Sequence, residues 1–364
     1  MRRCSFLLFV YFTHTAVHAQ VDSAKELKGI RTQLYYGFIF AHSEHVQNTS
    51  GAHPRGLEVE LIRQKVDTST WDLCRCYPVK GWSFSYVDFN TSILGQSLAA
   101  AYFLEPSFKV GKKGQLKLKG SFGLSIHNKP FDLLHNPTNM SYSTNLNGYL
   151  QLGAGIALQV APQWLIQLGS SYQHISNGGL KEPNKGINWP TASLGVNWMR
   201  QSYNLPDYKA RQSNVVIDKN PALVVGAFIS AKQVDRGNGE NFRSALGGMF
   251  VQGSKAINRI SALNAGVEMT YNNALNERMK IDSVTGSPVS IGALAGHEFL
   301  LGKFNFSQQL GVYIFNQSPY YTRLYYRWTL NYNVNKRWRV GFSLKAHKQV
   351  ADFIDARLSY QISK

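Results

Sequence analysis

Along most of this chain every second residue is apolar. From Leu116 to Ile126 one face carries Leu116, Leu118, Phe122, Leu124 and Ile126, and the other Gln115, Lys117, Lys119, Ser121 and Ser125. From Leu146 to Val160 the apolar set is Leu150, Leu152, Ala154, Ile156, Leu158 and Val160, set against Asn147, Gln151, Gln159 and glycines. Leu324 to Tyr332, Val340 to Ala346 and Ile354 to Ile362 repeat the pattern. A period of two is that of a β-strand whose two faces meet different solvents. The runs reach ten residues or more, where soluble strands usually have about 5–6. After the N-terminus no run of about 18 apolar residues occurs, which excludes helical membrane spans. The remaining architecture is an all-β transmembrane antiparallel barrel, with lipid outside and polar side chains within. Aromatic residues at 13%, 31 glycines and a slightly negative mean hydropathy suit it. The runs predict a single cylinder of about 14 strands, within a range of about 12 to 16, an even number being expected. Residues Gln201 to Asn220 lack alternation and read as a long loop or a seam.

The first residues, MRRCSFLLFVYFTHTAVHAQ, have a basic start, a short apolar stretch and small residues at Val17 and Ala19. This pattern predicts a secretory signal peptide over 1–19 and a mature chain from Gln20. The domain reading is then 20–200 as one set of strands and 201–364 as an additional set. The formal charge of +18 becomes +16 without Arg2 and Arg3 (18 − 2). It implies either a basic lumen or basic loops, or affinity for anionic head groups; nucleic acid is a poor partner for an exported protein. Cys74 and Cys76, in WDLCRCYP, are a candidate disulfide in an oxidising compartment. With no second pair and no histidine cluster nearby, zinc is not expected there.

Chemistry concentrates in QHISNGGLKEPNKGIN, Gln173 to Asn188. The preceding run sets Trp164, Ile166, Leu168 and Tyr172 on one parity, and that parity continues through His174 and Ser176. The pair is therefore expected on the lipid-facing side, near the membrane rim, where polar groups are tolerable. A serine hydroxyl needs a base to become a nucleophile, and histidine is the usual one near neutral pH. Positions i and i+2 of a strand share a face, so the imidazole can reach the hydroxyl. Asn177 and the N–H groups of Gly178 and Gly179 are candidate oxyanion donors. H-x-S alone is a weak signal, and an interfacial polar pair is its plainer explanation.

The longer segment resembles the active-site segment of the lipid A 3-O-deacylase (PagL) family, H-x-S-N-x-G followed by P-N-x-G-I and an acid. The matching residues are His174, Ser176, Asn177, Gly179, Pro183, Asn184, Gly186 and Ile187. The resemblance implies a small eight-stranded outer-membrane barrel that hydrolyses the ester-linked acyl chain at the 3-position of lipid A. It also implies a serine nucleophile, an outward-facing site and no cofactor or metal. Asn184 enters as an oxyanion or substrate-binding residue. Two departures stand out. Asn188 occupies the acid's position, and in a serine triad amide-for-acid replacement costs about 10⁴ in rate. Glu182 is a substitute acid to consider. The chain also continues for some 160 residues beyond the motif, read as further strands of a wider barrel.

Other groupings have structural explanations. His347 with Asp352 and Asp355 resembles an acid–base cluster, but His347 and Asp355 have lumen parity. Tyr320, Tyr321, Tyr325 and Tyr326 fit an interfacial aromatic girdle better than a sugar platform. His42 and His45 read as a loop pair, since further metal ligands are lacking nearby. The sequons at Asn48, Asn90 and Asn139 read as polar loops. Two functions follow: a lipid A or lipopolysaccharide esterase embedded in outer-membrane lipid, or a non-catalytic barrel that binds lipid or passes solutes. The sequence is silent on oligomeric state.

Overall fold

The computed structural model describes residues 26–208, 220–235, 241–348 and 350–362. The expected signal peptide and Cys4 lie outside them. Long alternating runs become long strands. The first nine are β1 (Glu26–Gly37), β2 (Arg55–Lys65), β3 (Val79–Asp88), β4 (Gln96–Glu105), β5 (Ser107–Val110), β6 (Gly114–His127), β7 (Leu146–Ala161), β8 (Trp164–Ser176) and β9 (Ile187–Met199). The others are β10 (Ala222–Asp235), β11 (Asn241–Ala256), β12 (Ser261–Asn272), β13 (Val289–Leu301), β14 (Phe304–Asn316), β15 (Leu324–Asn333), β16 (Trp338–His347) and β17 (Val350–Gln361). Two short helices, α1 (Thr68–Cys74) and α2 (Asn273–Ile281), sit in connections. No described helix is long and apolar enough to cross a membrane.

The strands close two cylinders, which corrects the expectation of one wide barrel of about 14 strands. β1 pairs with β9 and β4 pairs with β6, so eight strands close the first barrel, with β5 as a four-residue spur on β6. β10 pairs with β17 and closes the second, also of eight strands. Alternation reports which way a side chain points. It does not report which distant strand takes up a free edge, and closure satisfies edges equally well in one large ring or two small ones. One end of each barrel carries two-residue turns, at residues 162–163 and 302–303, and in the first barrel also the 66–78 connection with α1; the longest connections, 38–54, 128–145 and 273–288, lie at the other end.

The outer walls are apolar: Leu34, Leu98, Leu152 and Ile229 are among many large side chains left exposed. The lumens are packed with charge. In the first barrel Arg31 bridges Glu60 at 3.0 Å and Glu105 at 2.7 Å, Lys117 meets Glu105 at 3.0 Å, and Lys119 binds Glu58 and Glu60. In the second, Arg327 binds Glu268 at 3.0 Å and also Asp355, Lys345 reaches Glu268 at 3.2 Å, and Arg357 reaches Asp355 at 2.6 Å. The six charges named in the first lumen balance, so its basic excess lies elsewhere. Two lumenal voids, of about 30 and 10 Å³, are of water size.

The barrels touch at both ends. At the long-loop end, the turn after β8 meets β17, with Gly178 against Ile354 and Gly179 against the Asp352 carbonyl. At the other, Arg259 donates to the carbonyl of Asp72 within α1. The Cys74–Cys76 disulfide closes α1 there.

Candidate active site

β8 delivers His174 and Ser176 to the long-loop end of the first barrel. Along it Gln173, Ile175 and Asn177 are buried, whereas Tyr172 is exposed and His174 and Ser176 are half-buried. The pair therefore lies on the outer wall. Its neighbours across the sheet are Leu150 and Asn188 beside His174, and Gly148 beside Ser176. Gly148 leaves the strip next to the hydroxyl without a side chain. Leu150, Leu152 and Tyr172 continue that strip as an apolar surface toward mid-barrel.

Asn188 accepts a hydrogen bond from His174: its Oδ1 lies 2.6 Å from Nδ1. Ser176 Oγ sits 3.0 Å from the Gly178 amide and 3.0 Å from Asn184 Nδ2. Asn184 Oδ1, 3.3 Å from the same hydroxyl, accepts the Asn177 N–H at 3.0 Å, which fixes the amide with Nδ2 toward the serine. No hydrogen bond joins His174 to Ser176 among the described residues. Such bonds are often long before substrate arrives.

Two expected donors are revised. Asn177 turns inward, with its Nδ2 donating to the Lys181 carbonyl at 2.7 Å and to Ser143 Oγ at 3.3 Å. Its Oδ1 accepts the N–H groups of Gly179 and Leu180. Asn177 and Gly179 thus build the turn and have no donor free for an oxyanion; odd parity put Asn177 on the inner face. Gly178 and Asn184 are the donors beside the hydroxyl. Glu182 accepts the Asn184 N–H at 2.8 Å, which occupies it in the turn rather than at His174.

Two residues enter to which sequence reasoning gave no role at the site. Gly186, at φ +73°, lies against the His174 ring edge, where a Cβ would come within 2.8 Å of Cε1. His42 lies behind Asn188, its Nδ1 2.8 Å from Asn188 Nδ2 and its Nε2 2.9 Å from the Lys185 carbonyl. Its signal was legible: Leu34, Tyr36, Phe38 and Phe40 alternate outward, and His42 continues that parity beside β9. His45 is exposed, so the two histidines do not converge. In the second barrel, His347 stacks on Tyr321 at 4.3 Å and meets the Tyr313 hydroxyl at 2.9 Å, with Asp352 3.8 Å away. Asp355 is separate, held by the arginines. Tyr320 binds Asp282 and Tyr326 stacks on Trp328, so the four tyrosines form no common platform.

The family profile described as lipid A 3-O-deacylase (PagL) matches residues 63–197, and that described as acyloxyacyl hydrolase, C-terminal domain, matches residues 222–364. The chain belongs to the PagL-like family of acyl hydrolases. Family and barrel fold together point to the bacterial outer membrane. No curated protein sequence matches the chain. Among solved structures, the outer-membrane enzyme PagL is 20% identical over 45% of this chain and 97% of that one, with a TM-score of 0.35. Neisserial surface protein A is 9% identical over 47% and 96%, at 0.33, and a mutant Rh. blastica porin is 9% identical over 92% and 99%, at 0.21.

Proposed function

We propose that this PagL-like chain is a serine esterase that removes an ester-linked acyl chain from lipid A or a related glycolipid of the outer membrane. The observation that carries the reading is the outward pair His174 and Ser176, with Asn188 on the far ring nitrogen and two donors at the hydroxyl. His174 Nε2 would take the Ser176 proton as Oγ attacks the ester carbonyl. The Gly178 N–H and Asn184 Nδ2 would hold the oxyanion. The imidazolium would protonate the departing sugar hydroxyl, leaving an acyl-serine. Water, activated by the same nitrogen, would release the fatty acid. The chain would be exported by the 1–19 signal peptide, with the long-loop end outward. Its acyl substrate would lie along the strip beside Gly148, Leu150 and Leu152. Solute passage is disfavoured, because charged side chains fill both lumens.

The test is lipid A mass spectrometry of cells expressing the chain or its Ser176→Ala variant. One 3-hydroxyacyl mass should vanish only with the parent chain; identical spectra would count against the esterase. A second expectation concerns the turn. Gly178 has φ +68° and its missing Cβ faces Ile354, so Gly178→Val cannot keep this geometry. Hydrolysis should fall by about tenfold or more, as strain of about 1–3 kcal/mol displaces an oxyanion donor. The folded barrel should persist by heat-modifiable gel mobility, and an unchanged rate would show that Gly178 gives nothing to the site.

A further inference from the structure

We propose that His42 is a positioning residue that selects which nitrogen of His174 acts as base; this rests on the esterase reading above. An asparagine amide, unlike a carboxylate, has a donor end and an acceptor end. Turned one way, Asn188 offers Oδ1 to His174 and demands a proton on Nδ1, which leaves Nε2 with a lone pair for the serine. Turned the other way, it offers Nδ2, the proton moves to Nε2, and the base is blocked. Something must choose between the two.

The choice follows from one backbone carbonyl. Lys185 O can only accept, so the His42 nitrogen 2.9 Å away, Nε2, carries the proton. A neutral His42 then has a lone pair on Nδ1, which must accept. At 2.8 Å from Nδ1 stands Asn188, so its NH₂ end points there. Its carbonyl end is left facing His174 Nδ1 at 2.6 Å. The reversed amide would put a proton on His42 Nδ1 and set the bare Nε2 lone pair against the Lys185 oxygen. The chain Lys185 O, His42, Asn188, His174 thus has one self-consistent proton arrangement, and it is the reactive one. Asn188 is buried, so water competes little for either end of its amide. Backbone geometry holds the chain together, since Phe40 N–H donates to the Asn188 carbonyl at 2.8 Å. A carboxylate at position 188 would need no such selection, because both its oxygens accept.

That difference supplies the test. Ester hydrolysis by the refolded full chain on purified lipid A is measured for His42→Ala and His42→Lys, each alone and combined with Asn188→Asp. Ser176→Ala is the blank, and heat-modifiable mobility is the folding control. With Asn188 present, His42→Ala frees the amide and should lower kcat by about tenfold. His42→Lys presents only donors, enforces the wrong tautomer and should approach the loss of about 10⁴ seen for a mis-set triad histidine. KM should hold in both. Combined with Asn188→Asp, both losses should shrink to within about threefold of Asn188→Asp alone, because a carboxylate sets the tautomer unaided. Equal losses with and without Asn188→Asp would show that His42 merely packs the loop, and no loss with Asn188 present would show that it is dispensable. Either result overturns the inference and leaves the esterase standing. No Ser176-dependent hydrolysis with or without Asn188→Asp would overturn both.

Discussion

His174→Ala and Ser176→Ala should each lower deacylation by about 10⁴-fold or more, and the double variant should be no slower than the worse single one. In the proposed mechanism the two groups act on one proton. Without the imidazole the hydroxyl stays a weak nucleophile, and without the hydroxyl the imidazole has nothing to activate. Multiplying losses would mean two separate roles and would sink the nucleophile–base pairing. The size of the loss is informative as well. A serine site with a full acid can lose about 10⁶ when its histidine or serine is removed, and an amide that mis-sets the histidine gives up about 10⁴ of that beforehand. If Asn188 sets the tautomer as its 2.6 Å contact to Nδ1 indicates, only the weaker stabilisation of imidazolium by a neutral oxygen is missing. A loss near 10² would instead place the parent enzyme among mis-set triads. Single-turnover assays on purified lipid A separate these outcomes from product release.

Parity alone makes the face of the site legible. Trp164, Ile166, Leu168 and Tyr172 pointed outward, and His174 and Ser176 followed. The same rule reaches His42 when the alternation of β1 is extended past its last paired residue, since Phe40 still bonds to Asn188. Parity also argues against Asn177 as an oxyanion donor, because it lies one residue out of step with the serine. What resisted reading was non-local. Gly29 pairs with Met199 and Val224 with Gln361. Each such partnership closes a ring over more than a hundred residues, and no local pattern records it. The Asn184 amide was likewise ambiguous until the Asn177 N–H was seen to fix its acceptor end. Residue type offered a donor, and only the turn said where it points.

The lumenal charges give a stability prediction of a different kind. Arg31 is fully buried and bonded to Glu60 and Glu105, so Arg31→Met leaves three buried carboxylates against two lysines. Breaking a buried network by removing one partner costs about 3–5 kcal/mol. Surface pairs such as Lys109 with the exposed Asp207 are worth about 0–1 kcal/mol. The urea midpoint of the heat-modifiable form should therefore drop sharply for Arg31→Met and hardly move for Lys109→Met. Adding Glu60→Gln to Arg31→Met should recover part of the loss, because the cost lies in the unpaired charge and not in the missing guanidinium. Lys117 would then keep Glu105 and Lys119 would keep Glu58, two charges against two. Arg327 poses the same question in the second barrel, where Glu268 and Asp355 depend on it. If Arg327→Met lowers only a separate, second unfolding transition, the cylinders are independent folding units. A single shared transition would mean that the contacts at Gly178 and Arg259 couple them, and a lumenal change in the second barrel would then reach the serine turn of the first.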